Sequence, residues 1–346
     1  TRVYGDARWL AWAVSWTHHP WARTPTGGVA AHEQEVAMKY RRLGSTDLPV
    51  SVVGIGTWQF GGEWGRTYDV PEVRAILDRA RDLGINLLDT AECYGDHVSE
   101  RLIGEAIEGR RDEWFVATKF GHRYLGDFER DQLWSAEDVL RQLDASLEAL
   151  RTDHVDLYQF HSGSDEAFDD PELWQALADQ VKAGRIRHLG ISIGRNDNVH
   201  QTRRAREVGA EAIQVVYNRL DRTPEQDVFP LCQSHDLGVL ARVPLASGYL
   251  TGKYRPDDSF DEPSDVRSRH DRAEVRRKLE EAERIRHEEV PEGVDMATWA
   301  LAWCLQHPAV SCVIPGCKSV EQVEANAKAA DLDLVRDDHP QAVAGG

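Results

Sequence analysis

Eight short runs rich in apolar and β-branched residues, separated by stretches of helical spacing, limit what this chain can fold into more than any other feature. They occupy residues 51–58, 86–90, 114–120, 155–161, 186–193, 212–218, 238–244 and 310–316. Between them apolar side chains recur at helical steps, as in Val73, Ile76, Leu77, Ala80 and Leu83 before Gly84, or Leu140, Leu143, Leu147 and Leu150 after Ser135. A strand followed by a helical crossover pairs again in parallel, and eight such units close a sheet on itself. The expected fold class is α/β, a (β/α)8 TIM barrel, with the leucine stripes packing helices onto the sheet. MKYRRLGSTDLPV (38–50) predicts an N-terminal β-hairpin across the bottom of the barrel, its turn near Gly44 and Ser45. AEVRRKLEEAERIRHEE, inside the charged segment 256–292, predicts an extra helix before the last βα unit.

The barrel is assigned to residues 38–332, with a tail over 333–346 and an extension over 1–37 that is expected to be disordered. That extension carries four of the eleven tryptophans (Trp9, Trp12, Trp16, Trp21) with neither strand nor helix periodicity. A secretory leader centred on WLAWAVSW is the rival reading, but the run is short and His18, His19 and Pro20 follow it. The net charge of −18 leaves no basic patch for nucleic acid or an anionic membrane, so a small-molecule partner is expected. No apolar run approaches the roughly 20 residues that cross a bilayer. The five cysteines contain no C-x-x-C pair, which indicates neither a disulfide framework nor a metal site and suits a reducing, cytoplasmic setting. Oligomeric state is open.

Functional side chains of such a barrel gather at the C-terminal ends of its strands and on the loops that follow. Polar residues that interrupt or end the apolar runs are therefore the candidates: Asp89, Lys119, His161, Ser192 and Gln214. Tyr94 stands on the loop after Asp89, in LLDTAECYGDH (87–97). Taken singly, Lys119 equally fits a structural ion pair with Asp89, and His161 a satisfied core histidine. Taken together, Asp89, Tyr94, Lys119 and His161 converge on one mouth. Cys93 has no motif or base that would make it a nucleophile.

These residues lie in motifs that resemble the aldo-keto reductases: GIGTWQFGG, LLDTAECYG, VATKFG, LYQFH, LGIS, IQVVYN, VPLASGYLTGKY and VIPGCKSVEQVEAN, in barrel order. GKY and the Q-x-x-x-N helix are more similar to the branch of potassium-channel β-subunits and their bacterial relatives. The resemblance implies reduction of a small aldehyde or ketone, such as a sugar or sugar-derived carbonyl, by a nicotinamide cofactor. Tyr94 would be the general acid, Lys119 would lower its pKa, Asp89 would hold Lys119, and His161 would orient the substrate oxygen. The cofactor would meet Thr57 and Trp58 at strand 1, Ser192 and Gln214 at the carboxamide, and Pro244, Leu245, Ser247 and Lys253 at the pyrophosphate. Gly316, Lys318, Gln322 and Asn326 would hold the adenosine half, and Lys318 favours NADPH over NADH.

The pattern has departures. Ile193 follows Ser192 where many relatives have Asn, and Ala325 replaces a glutamate near the adenine. Gln322 replaces an arginine, and Arg242 stands where a stacking aromatic is common, which leaves stacking and a salt bridge across the mouth both open for it. Trp58, Trp64 and Trp134, with Tyr124 nearby, imply an aromatic-walled substrate pocket, or equally packing under long loops. The same resemblance permits a redox-sensing regulatory subunit with slow turnover. A metal-dependent hydrolase on this barrel would need a convergent ligand set such as His-x-His, which is absent from the sequence.

Overall fold

The computed structural model describes residues 37–343; the extension expected over 1–37 lies almost wholly outside the described residues. The chain opens with an antiparallel hairpin, β1 (Tyr40–Arg42) and β2 (Pro49–Ser51). Eight parallel strands follow: β3 (Ile55–Gly56), β4 (Leu87–Asp89), β5 (Phe115–Phe120), β8 (Val155–His161), β9 (Ile186–Ser192), β10 (Ala210–Val216), β11 (Gly238–Arg242) and β12 (Cys312–Ile314), adjacent in that order. A second hairpin, β6 (His122–Gly126) and β7 (Glu129–Gln132), interrupts the series after β5. Closure comes from bridges of Val53 to Val313 and of Gly56 to Gly316, where Gly54 N–H donates to the Val313 carbonyl at 2.8 Å. The cylinder is complete, as the eight runs predict.

Helices α1 (Val70–Asp82), α2 (Val98–Ala106), α3 (Ala136–Ala149), α4 (Asp165–Phe168), α5 (Pro171–Lys182), α6 (Val199–Arg204) and α7 (Val228–Ser234) fill the crossovers through β11. The last crossover holds α8 (Arg272–Glu288) and α9 (Met296–Leu305), and α10 (Val320–Ala327) follows β12. Local chemistry sets the helix starts. Asp69 accepts the Glu72 N–H while Glu72 reaches back, a capping box with Pro71 in the first turn, and α1 then buries Val73, Ile76, Leu77 and Ala80. The extra helix expected in the charged segment is α8; its 17 residues bury only Val275, Leu279, Ala282 and Ile285, so one narrow stripe docks and the rest faces water.

The first hairpin closes the N-terminal end of the cylinder. Leu43 and Val50, both fully buried, pack with Leu87, Ala117, Leu157, Ala212 and Leu240 from inside the strands. Residues 333–343 run alongside: Arg42 N–H donates to the Gln341 carbonyl at 2.7 Å, Val343 N–H to Tyr40 at 3.0 Å, and Ser311 Oγ to Gln341 Oε1 at 2.6 Å. Two strands are shorter than expected. The 51–58 run gives the barrel only the strand Ile55–Gly56, because Ser51 ends β2 and Thr57 starts a helical turn over Trp58–Gly61. The 310–316 run ends at Ile314, before Pro315, which has no N–H to give. No helix among the described residues is long and apolar enough to cross a membrane.

Candidate active site

Side chains two residues apart on a strand share a face, and that alternation builds the site. Ala117, Leu157, Ala212 and Leu240 belong to the apolar plug. One step further along, the same face of β5, β8, β10 and β11 carries Lys119, Gln159, Gln214 and Arg242. Asp89, the last residue of β4, joins them. Lys119 is fully buried and Asp89 is 4% exposed, a depth at which a charge is tolerated only with a partner. The Lys119 ammonium donates to Asp89 Oδ2 at 2.8 Å, to the Thr90 carbonyl at 2.7 Å and to Tyr94 Oη at 3.3 Å, so each of its three protons has an acceptor. Asp89 Oδ1 accepts from Gln214 Nε2 at 2.6 Å and from Gln159 Nε2 at 3.2 Å. Gly190 makes room for this: a Cβ there would lie 3.1 Å from Gln159 Cγ.

Tyr94 is brought over the lysine by its loop. Gly95 sits at φ +66°, and a Cβ on it would stand 2.2 Å from the Gly61 carbonyl oxygen, so the loop presses directly on the turn after β3. Burial pushes the Tyr94 phenol up to about 12, with Lys119 pulling against it. The expected lowering of this pKa is thus outweighed by desolvation, and the phenol keeps its proton firmly at neutral pH. Burial also opposes the Lys119 charge, but Asp89 and Tyr94 more than offset it and the ammonium is held above its ordinary value. Burial, then Lys119 and Arg242, drives His161 well below its usual range, so its ring is neutral. That ring lies 6.3 Å from the Tyr94 ring.

A second group surrounds His161. Its Nδ1 is 3.7 Å from Glu92 Oε1 and 3.8 Å from Cys93 Sγ, and its ring stacks on His122 at 4.5 Å. No spacing in the sequence announces this cluster, because Glu92 and Cys93 come from the loop after β4 and the two histidines from β8 and β6.

Residues 52–344 match the family model described as the Aldo/keto reductase family. The chain belongs to that family. It is an NAD(P)H-dependent oxidoreductase. It is 33% identical over 310 residues to the uncharacterized oxidoreductase YqkF of Bacillus subtilis, covering 88% of this chain and 95% of that one. It is 31% identical over 307 residues to a probable voltage-gated potassium channel subunit beta of Arabidopsis thaliana, covering 85% and 92%. Among solved structures, the holo form of aldo-keto reductase AKR11C1 from Bacillus halodurans superimposes with a TM-score of 0.71 at 32% identity, covering 86% of this chain and 92% of that one.

The reductase spends some of the side chains expected at the cofactor on its own framework. Thr57 Oγ1 donates to the Asp89 carbonyl at 2.9 Å, and Gln214 gives its amide protons to Asp89 and to Gln159 Oε1, while Ser192 Oγ lies 3.5 Å from Gln214 Oε1. Gln322 Oε1 accepts the Lys318 N–H at 2.9 Å, and Asn326 Nδ2 donates to Cys317 Sγ at 3.3 Å, tying the turn into α10. Arg242 makes no ion pair among the described residues; its Nη2 donates to the Ile193 carbonyl at 3.1 Å and its Nε is buried without a partner. Between β11 and the following turn Val243, Ala246 and Ser247 all hold positive φ, beside Pro244, Leu245 and Gly248, the kind of backbone concavity that binds anions. Lys253 is exposed beyond it, and Gly316 accommodates the Gln59 amide, whose Nε2 would be 2.0 Å from a Cβ there. Lys318 has no ion pair among the described residues and lies 4.9 Å over the Trp64 ring.

Trp58 and Trp64 meet edge to face at 5.4 Å, and Trp58 lies 6.2 Å from Tyr94 with Phe128 on its far side at 6.4 Å. Trp134 instead packs on Phe160 at 4.5 Å and covers Gly121, under the second hairpin. Sequence reasoning missed Phe128, Arg130 and Glu63. Arg130 pairs with Glu63, and Trp58 Nε1 donates to Glu63 Oε2 at 2.8 Å, so this ion pair sets the aromatic wall.

Replacing Lys119 with Met leaves Asp89 as a buried carboxylate with only two amide donors. The expected loss is about 3–5 kcal/mol of unfolding free energy by urea titration. Adding Asp89→Asn should recover a large part of it. A single variant as stable as wild type would contradict a buried pair of this kind.

Proposed function

We propose that the protein reduces small aldehydes or ketones with NADPH, Tyr94 supplying the proton to the carbonyl oxygen. The observation that carries this reading is the ammonium of Lys119, within hydrogen-bonding reach of both Asp89 and the Tyr94 hydroxyl. A phenol held near 12 keeps its proton until charge develops on the substrate oxygen, and the adjacent ammonium then stabilises the phenolate left behind. Asp89 keeps that ammonium in place. His161, neutral, donates a hydrogen bond to the same oxygen and orients it. Trp58, Trp64 and Phe128 form an apolar wall that excludes water from the mouth and offers flat faces to a small carbonyl compound.

The nicotinamide, when bound, supplies hydride to the carbonyl carbon. The residues present suit such a cofactor: Arg242 Nε and Gln59 Oε1 are buried without partners near the strand ends, and the positive-φ turn after β11 suits a pyrophosphate. At the other end, burial and then the nearby Arg267 push the Lys318 ammonium below its ordinary value against the pull of Asp265, with Arg66 adding to the lowering. Cations crowded this way favour an added anion, and the 2′-phosphate of NADPH is one. Relatives at 30% identity carry names specifying NADP(+) and NADH alike, so the preference rests on these residues. The likeness to a potassium channel subunit supports a second reading, a nicotinamide-binding redox-sensing or regulatory subunit; only a few turnovers per hour on every carbonyl tried would favour it.

Tyr94→Phe should lower turnover by about 10²–10⁴-fold, the usual worth of a general acid, while NADPH binding measured by fluorescence is retained. Wild-type turnover in that variant would remove Tyr94 from the role. Lys318→Ala should weaken NADPH binding far more than NADH binding, because NADH has no charge there to lose. Equal losses for the two nucleotides would place the 2′-phosphate elsewhere.

A further inference from the structure

The group beside His161 is chemically unlike the rest of the mouth. Glu92, Cys93, His122 and His161 each present a ligand-type atom, and these atoms all lie within 4.8 Å of one another. Two imidazoles, a thiol and a carboxyl are a donor set for zinc or a similar thiophilic divalent cation. In a tetrahedral zinc site, bonds of about 2.0–2.3 Å put neighbouring ligand atoms about 3.3–3.8 Å apart. His161 Nδ1 already stands 3.7 Å from Glu92 Oε1 and 3.8 Å from Cys93 Sγ.

The wiring of the cluster points the same way. Glu92, 2% exposed, accepts the His122 backbone N–H at 2.9 Å through Oε1, yet its Oε2 is buried with no partner. His122 Nε2 is likewise buried and unpartnered. Unsatisfied polar atoms at this depth are costly, and a bound cation would satisfy them. Both histidines keep some exposure, 14% for His161, so the cluster is not sealed from solvent. Lys119, Arg130 and Arg242 are the cations that face the group, and the Cys93 thiolate with the Glu92 carboxylate would neutralise the incoming dication.

We infer that Glu92, Cys93, His122 and His161 form a binding site for Zn²⁺, and that its occupation switches the reductase off. Binding forms the sulfur–zinc bond and releases the thiol proton of Cys93 to solvent. Contracting a cluster that spans 4.8 Å to tetrahedral separations moves its members by the order of an ångström, and His161, bonded to the ion and stacked on His122, is re-set with them. Misplacement of that size is enough to impair a group that must orient substrate, so the inhibitory effect rests on the role of His161 proposed above. The binding site itself does not.

Cobalt(II) titration of the full chain tests it, since cobalt reports its ligands. One ion per chain should bind with a cysteinate-to-cobalt charge-transfer band and intense tetrahedral bands, all displaced by stoichiometric Zn²⁺. Cys93→Ser should abolish the charge-transfer band. Cys93→Ser and His122→Gln should each weaken binding by about 100-fold or more, since even groups that merely support a ligand are worth 10–100-fold. Absence of the thiolate band in wild type, or wild-type affinity in both variants, would overturn the site. Zn²⁺ should also slow carbonyl reduction reversibly on addition of EDTA, and much less so in His122→Gln. A thiolate-bound ion with undiminished turnover would leave the site standing and overturn the switch. A thiolate-bound ion in a protein that reduces no carbonyl would count against the proposed reaction alone.

Discussion

The ion pair between Asp89 and Lys119 is the constraint around which the upper half of the barrel is organised. A fully buried ammonium is tolerated only if every proton is accepted, and here the acceptors are a carboxylate, a main-chain carbonyl and a phenol. The carboxylate in turn needs donors for its second oxygen, which Gln159 and Gln214 provide from two further strands. Four strands are thereby tied into one polar layer directly above the apolar plug of Leu87, Ala117, Leu157 and Ala212. The plug excludes water from below, which makes the pair electrostatically strong and also makes it expensive to break. Tyr94 is the one side chain of the layer that a loop supplies.

This layer also bears on the side chains expected near the nicotinamide. Gln214 is expected at a carboxamide, but its amide nitrogen is committed to Asp89. Among the described residues Arg242 neither pairs with a carboxylate nor lies on an aromatic ring; it reaches to the Ile193 carbonyl and its Nε–H has no partner. Ile193, the residue that interrupts the expected polar pair, therefore contributes through its backbone. Burial lowers the Arg242 pKa against the pull of Tyr94 and Asp89, both of which lie near enough to favour its charge.

Much of this is legible in the sequence because burial in a parallel barrel leaves few places for polar residues. A lone acid ending LLD, a lysine inside VATKF and a histidine closing LYQFH are each conspicuous against apolar neighbours. Gln159 lies in that same run and shares the face of His161, so alternation alone identifies it. The second hairpin was hidden because HRYLGDFERDQ has no apolar alternation; it is held by Arg130 and Glu63 across a long loop, a contact that no local period encodes. The cluster of Glu92, Cys93, His122 and His161 was hidden for a related reason, since its members meet only after three separate segments converge. Trp134 shows the limit of residue type as a guide: its ring fills the space over Gly121 and against Phe160.

The central claim is that Lys119 acts on the reaction through Tyr94. A double-mutant cycle on turnover tests it most directly, with Tyr94→Phe, Lys119→Met and the combined variant assayed at a temperature where all three are folded. If the lysine works by stabilising the Tyr94 phenolate, its removal has nothing left to impair once the hydroxyl is gone, and the combined variant turns over no more slowly than Tyr94→Phe. Losses that multiply, so that the combined variant is slower by the product of the two single effects, would contradict the account.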